Sequence, residues 1–544
     1  MTPQRVVVVG GGISGLTAAY RLLHPPDGAQ APRVVLVDSA ERLGGKILTT
    51  PFEGRPVDEG ADAYLLRVPW ATELCDELGI SAERISPDVG GASVAHPGKN
   101  SPQLTALPDG LIGGVPTRLG PLLRSPLLDS AGKLRAAADY VLPRRLMARR
   151  LQREAIDRLE AAEAAAYVLP RRLVARRRGS DRTDTLTEGA SGNVRVLPGA
   201  PSVGDIVRIR LGAAVASQVV GPLLGSIGAG DIDRLDAATS APILGQALQR
   251  NRSLMRGLRR MQPAPAAGAA APIFGSFEAG MGRLVQALLQ RLDGCVLRLG
   301  SPVGAIRRPG TRFAVETGNE VLDADGVIVA APAHAAAQML PGAPRAAAAL
   351  GLITYASVAV LTLSVRPDAI ETPQQAGFLV TRDTGWLTTA CSYGSAKWPS
   401  WSAATGGDPG AGDDSHSDGA PDIILRVSVG RDDDDRHMRL DDTELLDTVL
   451  AELSSLAPLR GLREPGAVGA WRVSRWPQSL PQYRPGHGHL VERIEEALAQ
   501  EMPGVFVTGA AYRGLGVPAC IRQGNEAAAK VTAHLASASA TASP

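Results

Sequence analysis

The chain has 544 residues, a formal net charge of +2, 44% hydrophobic residues and only 4% aromatic ones. That length calls for two or three domains rather than a single core. The near-neutral balance gives no general field for nucleic acid, and no stretch is apolar for long enough to span a bilayer.

Residues 5–9 read RVVVV, a β-branched apolar run that predicts a strand. Gly10, Gly11 and Gly12 follow at once, then Ile13, Ser14 and Gly15, and a helical pattern over residues 16–23. The order strand, glycine turn, helix predicts a dinucleotide-binding unit. Gly10 permits the tight turn, Gly12 leaves room for a pyrophosphate against the backbone, and Gly15 lets the helix pack close to the strand. The helix start offers free N–H groups and a partial positive charge. A second predicted strand, residues 33–37, ends in Asp38. It lies about 20 residues past the glycines, where a carboxylate can accept hydrogen bonds from an adenosine ribose.

Residues 107–236 are rich in Ala, Leu and Arg and read mainly as helix. Within them YVLPRRLMARR at 140–150 recurs as YVLPRRLVARR at 167–177. One pair is a local duplication rather than a solenoid, which needs three or more units; its functional alternative is a basic amphipathic surface that meets anionic lipid or a partner enzyme. Further strands are predicted over residues 303–306, 324–331 and 505–510, the last returning late in the chain to complete the first sheet, with a helix from near Pro518. The Gly, Asp and Ser-rich stretch 402–421 predicts a disordered insertion, and Asp432 to Asp435 predict a solvated acidic loop. Cys75, Cys295, Cys391 and Cys520 are too scattered for a CxxC site and are expected as buried reduced thiols of a cytoplasmic protein. His487 and His489 lack neighbouring ligands in sequence, so no metal is expected.

Further along, ERLGGKI at 41–47 and VDEGAD at 57–62 resemble the FAD-binding start of amine-oxidase-like flavoproteins. GAAYRGLGVPACIRQG at 509–524 is similar to the closing motif of the protoporphyrinogen/coproporphyrinogen oxidases of haem synthesis. Lys397-Trp398-Pro399, RVSVGR at 426–431, Trp476-Pro477, LPQY at 480–483, Gly486-His487, and Pro222-Leu223-Leu224 with Gly230-Asp231 fit the same pattern. The resemblance covers the chain apart from the duplicated segment and the 402–421 insertion.

The resemblance implies an FAD enzyme that dehydrogenates a porphyrinogen to a porphyrin, with six electrons leaving in three flavin cycles and oxygen reduced to hydrogen peroxide. It implies that the flavin N5 carries the chemistry, and it names no side-chain base. Residues 10–15 would hold the pyrophosphate and Asp38 the adenosine ribose, while Arg42 with the Gly45-Lys46 turn would lie along the diphosphate. Gly60, Ala61, Asp62 and Ala63 would run beside the flavin, Val303 would meet the adenine, and Trp476 would sit near the flavin. Ala510, Leu515, Gly516 and Val517 would cover the ribityl chain and ring. Gly377 and Leu379 would wall the porphyrinogen. Ala61 stands where many members have Pro, Ala376 where many have an aromatic residue, and residues 99–104 (KNSPQL) lack the Arg that many use against a substrate carboxylate, for which Lys99 is a weak substitute.

The expected fold class is α/β and α+β. A Rossmann-like FAD-binding domain is built from residues 1–65, 272–345 and 490–544. A substrate domain with a mixed sheet comes from 66–106, 237–271 and 346–489, and a mainly helical domain spans 107–236. The Pro518-Ala519-Cys520-Ile521 ending resembles the Gram-positive version, whose usual substrate is coproporphyrinogen III. Protoporphyrinogen IX oxidase, flavin amine oxidase and a non-catalytic flavoprotein scaffold are the alternatives. The partners implied are the porphyrinogen and oxygen, with peripheral contact to the inner face of the membrane or to a pathway enzyme through the basic segment.

Overall fold

Five short parallel strands form the first layer, and their valines explain it. In the computed structural model, which describes residues 4–25, 30–141, 200–261, 272–371, 373–402 and 421–541, the sheet order is Val296–Arg298, β2 (Arg33–Val37), β1 (Arg5–Val9), Gly326–Val329 and Val505–Val507. A parallel sheet covered on both faces needs apolar side chains in both directions. Val6 and Val8 accordingly pack into one cluster with α1 (Ile13–Leu23) and the C-terminal helix Val517–Thr541. Val7 and Val9 pack into the opposite one, against the antiparallel sheet of Val303–Arg307, Phe313–Thr317 and Val321–Ala324. The predicted late return is present, since Val327, Ile328 and Val329 pair with Val505, Phe506 and Val507. With β2 on one side of β1 and Gly326–Val329 on the other, the order reverses at the carboxyl end of β1, where open α/β sheets bind ligands.

The second layer is a seven-stranded mixed sheet in the order Val468–Pro481, Tyr355–Val365, Ile423–Val429, Thr388–Tyr393, Gly377–Val380, Ser93–His96 and Gln103–Ala106. Period-2 alternation splits its residues. Leu361, Leu363, Leu425, Val427 and Val429 turn to a core shared with Leu445 and Val449 of the helix Asp442–Ser454. Val358, Val360, Arg426 and Ser428 lie in the alternate register, toward the first layer.

A third cluster is mainly helical and is built largely from residues 107–141 and 200–258. The helices Pro242–Arg250 and Leu254–Arg260, which the sequence reading grouped with the substrate domain, pack there through Leu244, Ala247, Leu254 and Leu258. The helix Pro69–Leu78, grouped likewise, packs through Leu74 and Leu78 against α1 and the C-terminal helix. The repeated basic motif, beyond Val141, and the 402–421 insertion, beyond its end residues, lie outside the described residues. Among the described residues no helix is long and apolar enough to cross a membrane.

The acidic run corrects one expectation. Asp432 is not solvated. Its side chain is 2% exposed, 2.6 Å from Arg484 and 3.2 Å from Arg234, and its N–H donates to the Ala229 carbonyl. Asp433 pairs with Arg382 at 2.9 Å. The turn therefore ties the helical cluster to the mixed sheet, and only Asp433 and Asp435 remain exposed.

Candidate active site

A cavity of about 790 Å³ runs from the glycine loop to the inner face of the mixed sheet. At the loop end, Gly10 has φ +105, and a Cβ there would lie 2.9 Å from the Ala330 carbonyl carbon. A Cβ on Gly15 would strike the Gly10 carbonyl oxygen, so this glycine permits the close helix–turn packing. Gly12 differs from both. Its φ of −71 suits any residue, and a Cβ there would meet no described atom within 4 Å. It lines the cavity, so a side chain would fill the cradle itself. The first turn of α1 has no acidic residue and no side-chain cap. Its N–H groups are left for an anion, favoured by the helix dipole. The loop thus fits the diphosphate of a dinucleotide.

Asp38 lines the cavity and accepts hydrogen bonds from the N–H groups of Gly11 at 2.5 Å and Ala40 at 2.8 Å. Both bonds fix the carboxylate at the end of β2. Lys46 projects into the same space and makes no ion pair among the described residues. The protein around it lowers the pKa of its ammonium by desolvation, opposed by the Cys520 thiol nearby. Arg42 stays outside the lining. Its guanidinium donates to the Gly45 carbonyl at 2.8 Å and braces the Gly44-Gly45 turn, which in turn pairs with Gly12. Gly11 and Gly15 also act from behind the wall.

Gly60, Ala61, Asp62 and Ala63 line the middle of the cavity, with Val303, Trp476, Ala510, Leu515, Gly516 and Val517 around it. Trp476 donates its indole N–H to the Glu59 carbonyl at 3.0 Å. A bulge between Ala356 and Val358 in the pairing with Val468–Pro481 lies beside it; such irregularities re-aim side chains next to sites. Tyr483 donates to the Ala510 carbonyl at 2.5 Å and accepts from the Gly514 N–H at 3.1 Å, which fixes the C-terminal loop. Gly377 and Leu379 stand on Gly377–Val380, outside this lining. A Cβ on Gly377 would lie 2.9 Å from the Ser392 Cα, so tight strand packing accounts for that glycine.

A charge cluster stands in the wall, and of its members the sequence marks only Asp62 as running beside the flavin, with Lys397 and Arg426 known only as parts of motifs. Lys397 Nζ is 2.7 Å from Asp62 Oδ2, and the Trp398 indole donates to the same oxygen at 3.5 Å. Arg426 Nη1 is 3.6 Å from Asp62 Oδ1, and Nη2 donates to the Gly60 carbonyl. Burial pushes the Asp62 carboxyl upward, but Lys397 and Arg426 together outweigh it and hold it well below the ordinary range. Burial also pushes neighbouring Asp58 up to about 7, assisted by Asp62 and opposed by hydrogen bonds from Thr49 and the Met281 N–H. Alternation along IILRVSV was the available signal: it turns Arg426 and Ser428 inward between apolar neighbours. Val358, Val360, Leu480, Ser226 and Ile227 complete the far end.

Elsewhere, all four cysteines are free thiols. Three are buried and Cys295 is half-buried. His487 stacks on Tyr483 at 4.3 Å while His489 pairs with exposed Glu492, and no metal-binding cluster exists among the described residues.

The profile of the flavin-containing amine oxidoreductases matches residues 13–532. The coproporphyrinogen III oxidase of Bacillus subtilis is 29% identical over 542 residues, covering 98% of both chains. That of Mycobacterium bovis is 31% identical over 532 residues, again covering 98% of both. A crystal structure from Exiguobacterium sp. 255-15, described as a candidate protoporphyrinogen oxidase, superposes with a TM-score of 0.74 at 25% identity, covering 98% of this chain and all of that one.

Proposed function

We infer the activity from one premise: the chain belongs to the flavin-containing amine oxidoreductase family, and FAD is its cofactor. It is an FAD-dependent porphyrinogen oxidase, and its substrate is coproporphyrinogen III. The carrying observation is the single cavity that joins the dinucleotide loop to an apolar sheet face.

FAD held there would supply two-electron redox chemistry, with oxygen as the acceptor. Removing six hydrogens from a porphyrinogen takes three such turnovers, with hydrogen peroxide as the second product. The protein's part is to bind and orient. The N–H groups at the start of α1 and the Lys46 ammonium meet the diphosphate, and Asp38 meets the adenosine ribose. Residues 60–63, Trp476 and residues 515–517 flank the ring. Val358, Val360, Leu480 and Ile227 offer apolar contact to a flat macrocycle and exclude water from the reacting edge. Gly377 and Leu379, two strands beyond Ile423–Val429 in the same sheet, are given no contact with the macrocycle. No side chain is assigned as base. The enzyme works in the cytoplasm, with the basic repeat 140–150/167–177 as a peripheral contact.

Two observations disfavour an amine substrate. A flavin amine oxidase would set an aromatic cage and a lysine at the flavin, whereas here the Lys397 ammonium is engaged by Asp62 and is outside the lining, and Trp476 is the single aromatic side chain among the described lining residues. Protoporphyrinogen IX, a dicarboxylate, is the second reading. The scarcity of cations favours it, because Lys46 and Arg426 are the cationic residues of the described lining. Steady-state oxidation of both porphyrinogens by the same preparation decides between them: kcat/KM is expected to be higher for coproporphyrinogen III, and the reverse order would select the second reading.

A further inference from the structure

The strand Ile423–Val429 turns one guanidinium toward the first layer. Arg426 lies opposite Thr362 on one neighbouring strand and Ser392 on the other, and its side chain is 11% exposed. Nη2 holds the Gly60 carbonyl and Nη1 faces Asp62, while Nε is buried without a hydrogen-bond partner. Asp62 is shared with Lys397 on its other oxygen. Two cations thus meet one carboxylate, and the cluster keeps a net positive charge where water is scarce. Asp58 adds at most a partial negative charge near neutral pH.

Geometry relates this charge to the cavity. Gly60, Asp62 and Arg426 all line it, between the glycine loop and the sheet face. A dinucleotide whose diphosphate sits on the first turn of α1, and whose adenosine side turns toward Asp38 and Val303, has its other half directed toward residues 60–63. That half carries the ring that gains electrons. In a poorly screened wall, a fixed charge acts strongly on a charge arriving nearby.

We propose that Arg426, locked to Gly60 and Asp62, sets an excess positive charge beside the flavin ring and so raises the affinity of the bound FAD for electrons. This rests on the proposed flavin site. Lys397 is a positioning residue within it: it keeps Asp62 ionised, while the Gly60 carbonyl holds the Arg426 guanidinium in place. Asp62 in turn offsets part of the charge, so the two members of the pair act on the flavin with opposite sign.

The test uses purified holoenzyme, with FAD content measured for each variant. The flavin midpoint potential is read by dye equilibration, and sulfite, which adds to electron-poor flavins, is titrated by loss of visible absorbance. Arg426→Gln is expected to shift the two-electron equilibrium at least tenfold toward oxidised flavin, about 30 mV per tenfold, and to weaken sulfite binding by a similar factor. Arg426→Lys restores most of both. Asp62→Asn is expected to move both readings the opposite way, which loss of packing alone would not do. Shifts of the same sign in Arg426→Gln and Asp62→Asn overturn the proposal. So does an unmoved potential with a raised KM, which would make Arg426 a substrate contact. If Arg426→Gln does not retain flavin, Asp62→Asn decides alone, and a lowered or unchanged potential there is the contrary result. A wild-type chain that takes up no FAD overturns the function itself, whereas a yellow protein with unmoved potentials overturns this inference alone.

Discussion

Gly12 separates a requirement of the cofactor from a requirement of the fold. Its backbone tolerates any residue and no described atom crowds its Cβ direction, so Gly12→Val is expected to leave the melting temperature of the apoprotein unchanged while abolishing FAD retention. Flavin content measured after gel filtration checks it, and full occupancy in the variant would contradict the loop assignment. Asp58 gives a pH signature. Its carboxyl rises from 3.8 to about 7 on folding, mainly through burial, so between those values the native state holds a proton that the unfolded chain has released. Unfolding then releases protons, and stability falls as pH rises through this window and levels off above it, a loss of a few kcal/mol at most. Melting curves from pH 5 to 8 are expected to show that decline in the wild type and a flatter profile in Asp58→Asn. At this scale the placement of Gly10, Gly12 and Asp38 along the cavity was legible because strand, turn and carboxylate lie close together in sequence. The Asp62 cluster was not, because Lys397 and Arg426 lie 335 and 364 positions away from Asp62.

At the scale of elements, strands were legible where β-branched runs met glycine turns, as in Arg5–Val9 and Val505–Val507. Helix allegiance was less so: Pro242–Arg250 and Leu254–Arg260 follow the helical cluster because their buried leucines fit its core, and sequence order alone does not say which core a helix joins. What anchors that cluster is Asp139, fully buried. It accepts from Arg210 Nε at 2.7 Å, the Ser253 hydroxyl at 2.5 Å, and the N–H groups of Leu254 and Met255 at 3.1 Å. Asp139→Ala would leave a buried guanidinium without its carboxylate, and such losses cost about 3–5 kcal/mol. Urea unfolding is expected to move by that amount. The acidic run at 432–435 misled because composition marks a charge run as solvated, whereas partners from Arg234, Arg382 and Arg484 make it a clasp.

For the molecule as a whole, the fold class and the family were legible because motif and hydrophobic period agreed over most of the chain. The chemistry of the far end of the cavity was not, since the side chains that shape it come from a sheet whose strands are scattered between residues 93 and 481. Deleting residues 167–177, one copy of the basic repeat, is expected to leave turnover of dissolved substrate within twofold, and a large loss would show that the segment shapes the active site. The central claim is that one cavity brings a flavin and a reduced tetrapyrrole together. Its most direct test is anaerobic mixing of the holoenzyme with coproporphyrinogen III, followed at the flavin absorbance. Rapid bleaching by the porphyrinogen and none by a primary amine is the predicted result; bleaching by the amine alone, or a protein that stays colourless in excess FAD, would contradict it.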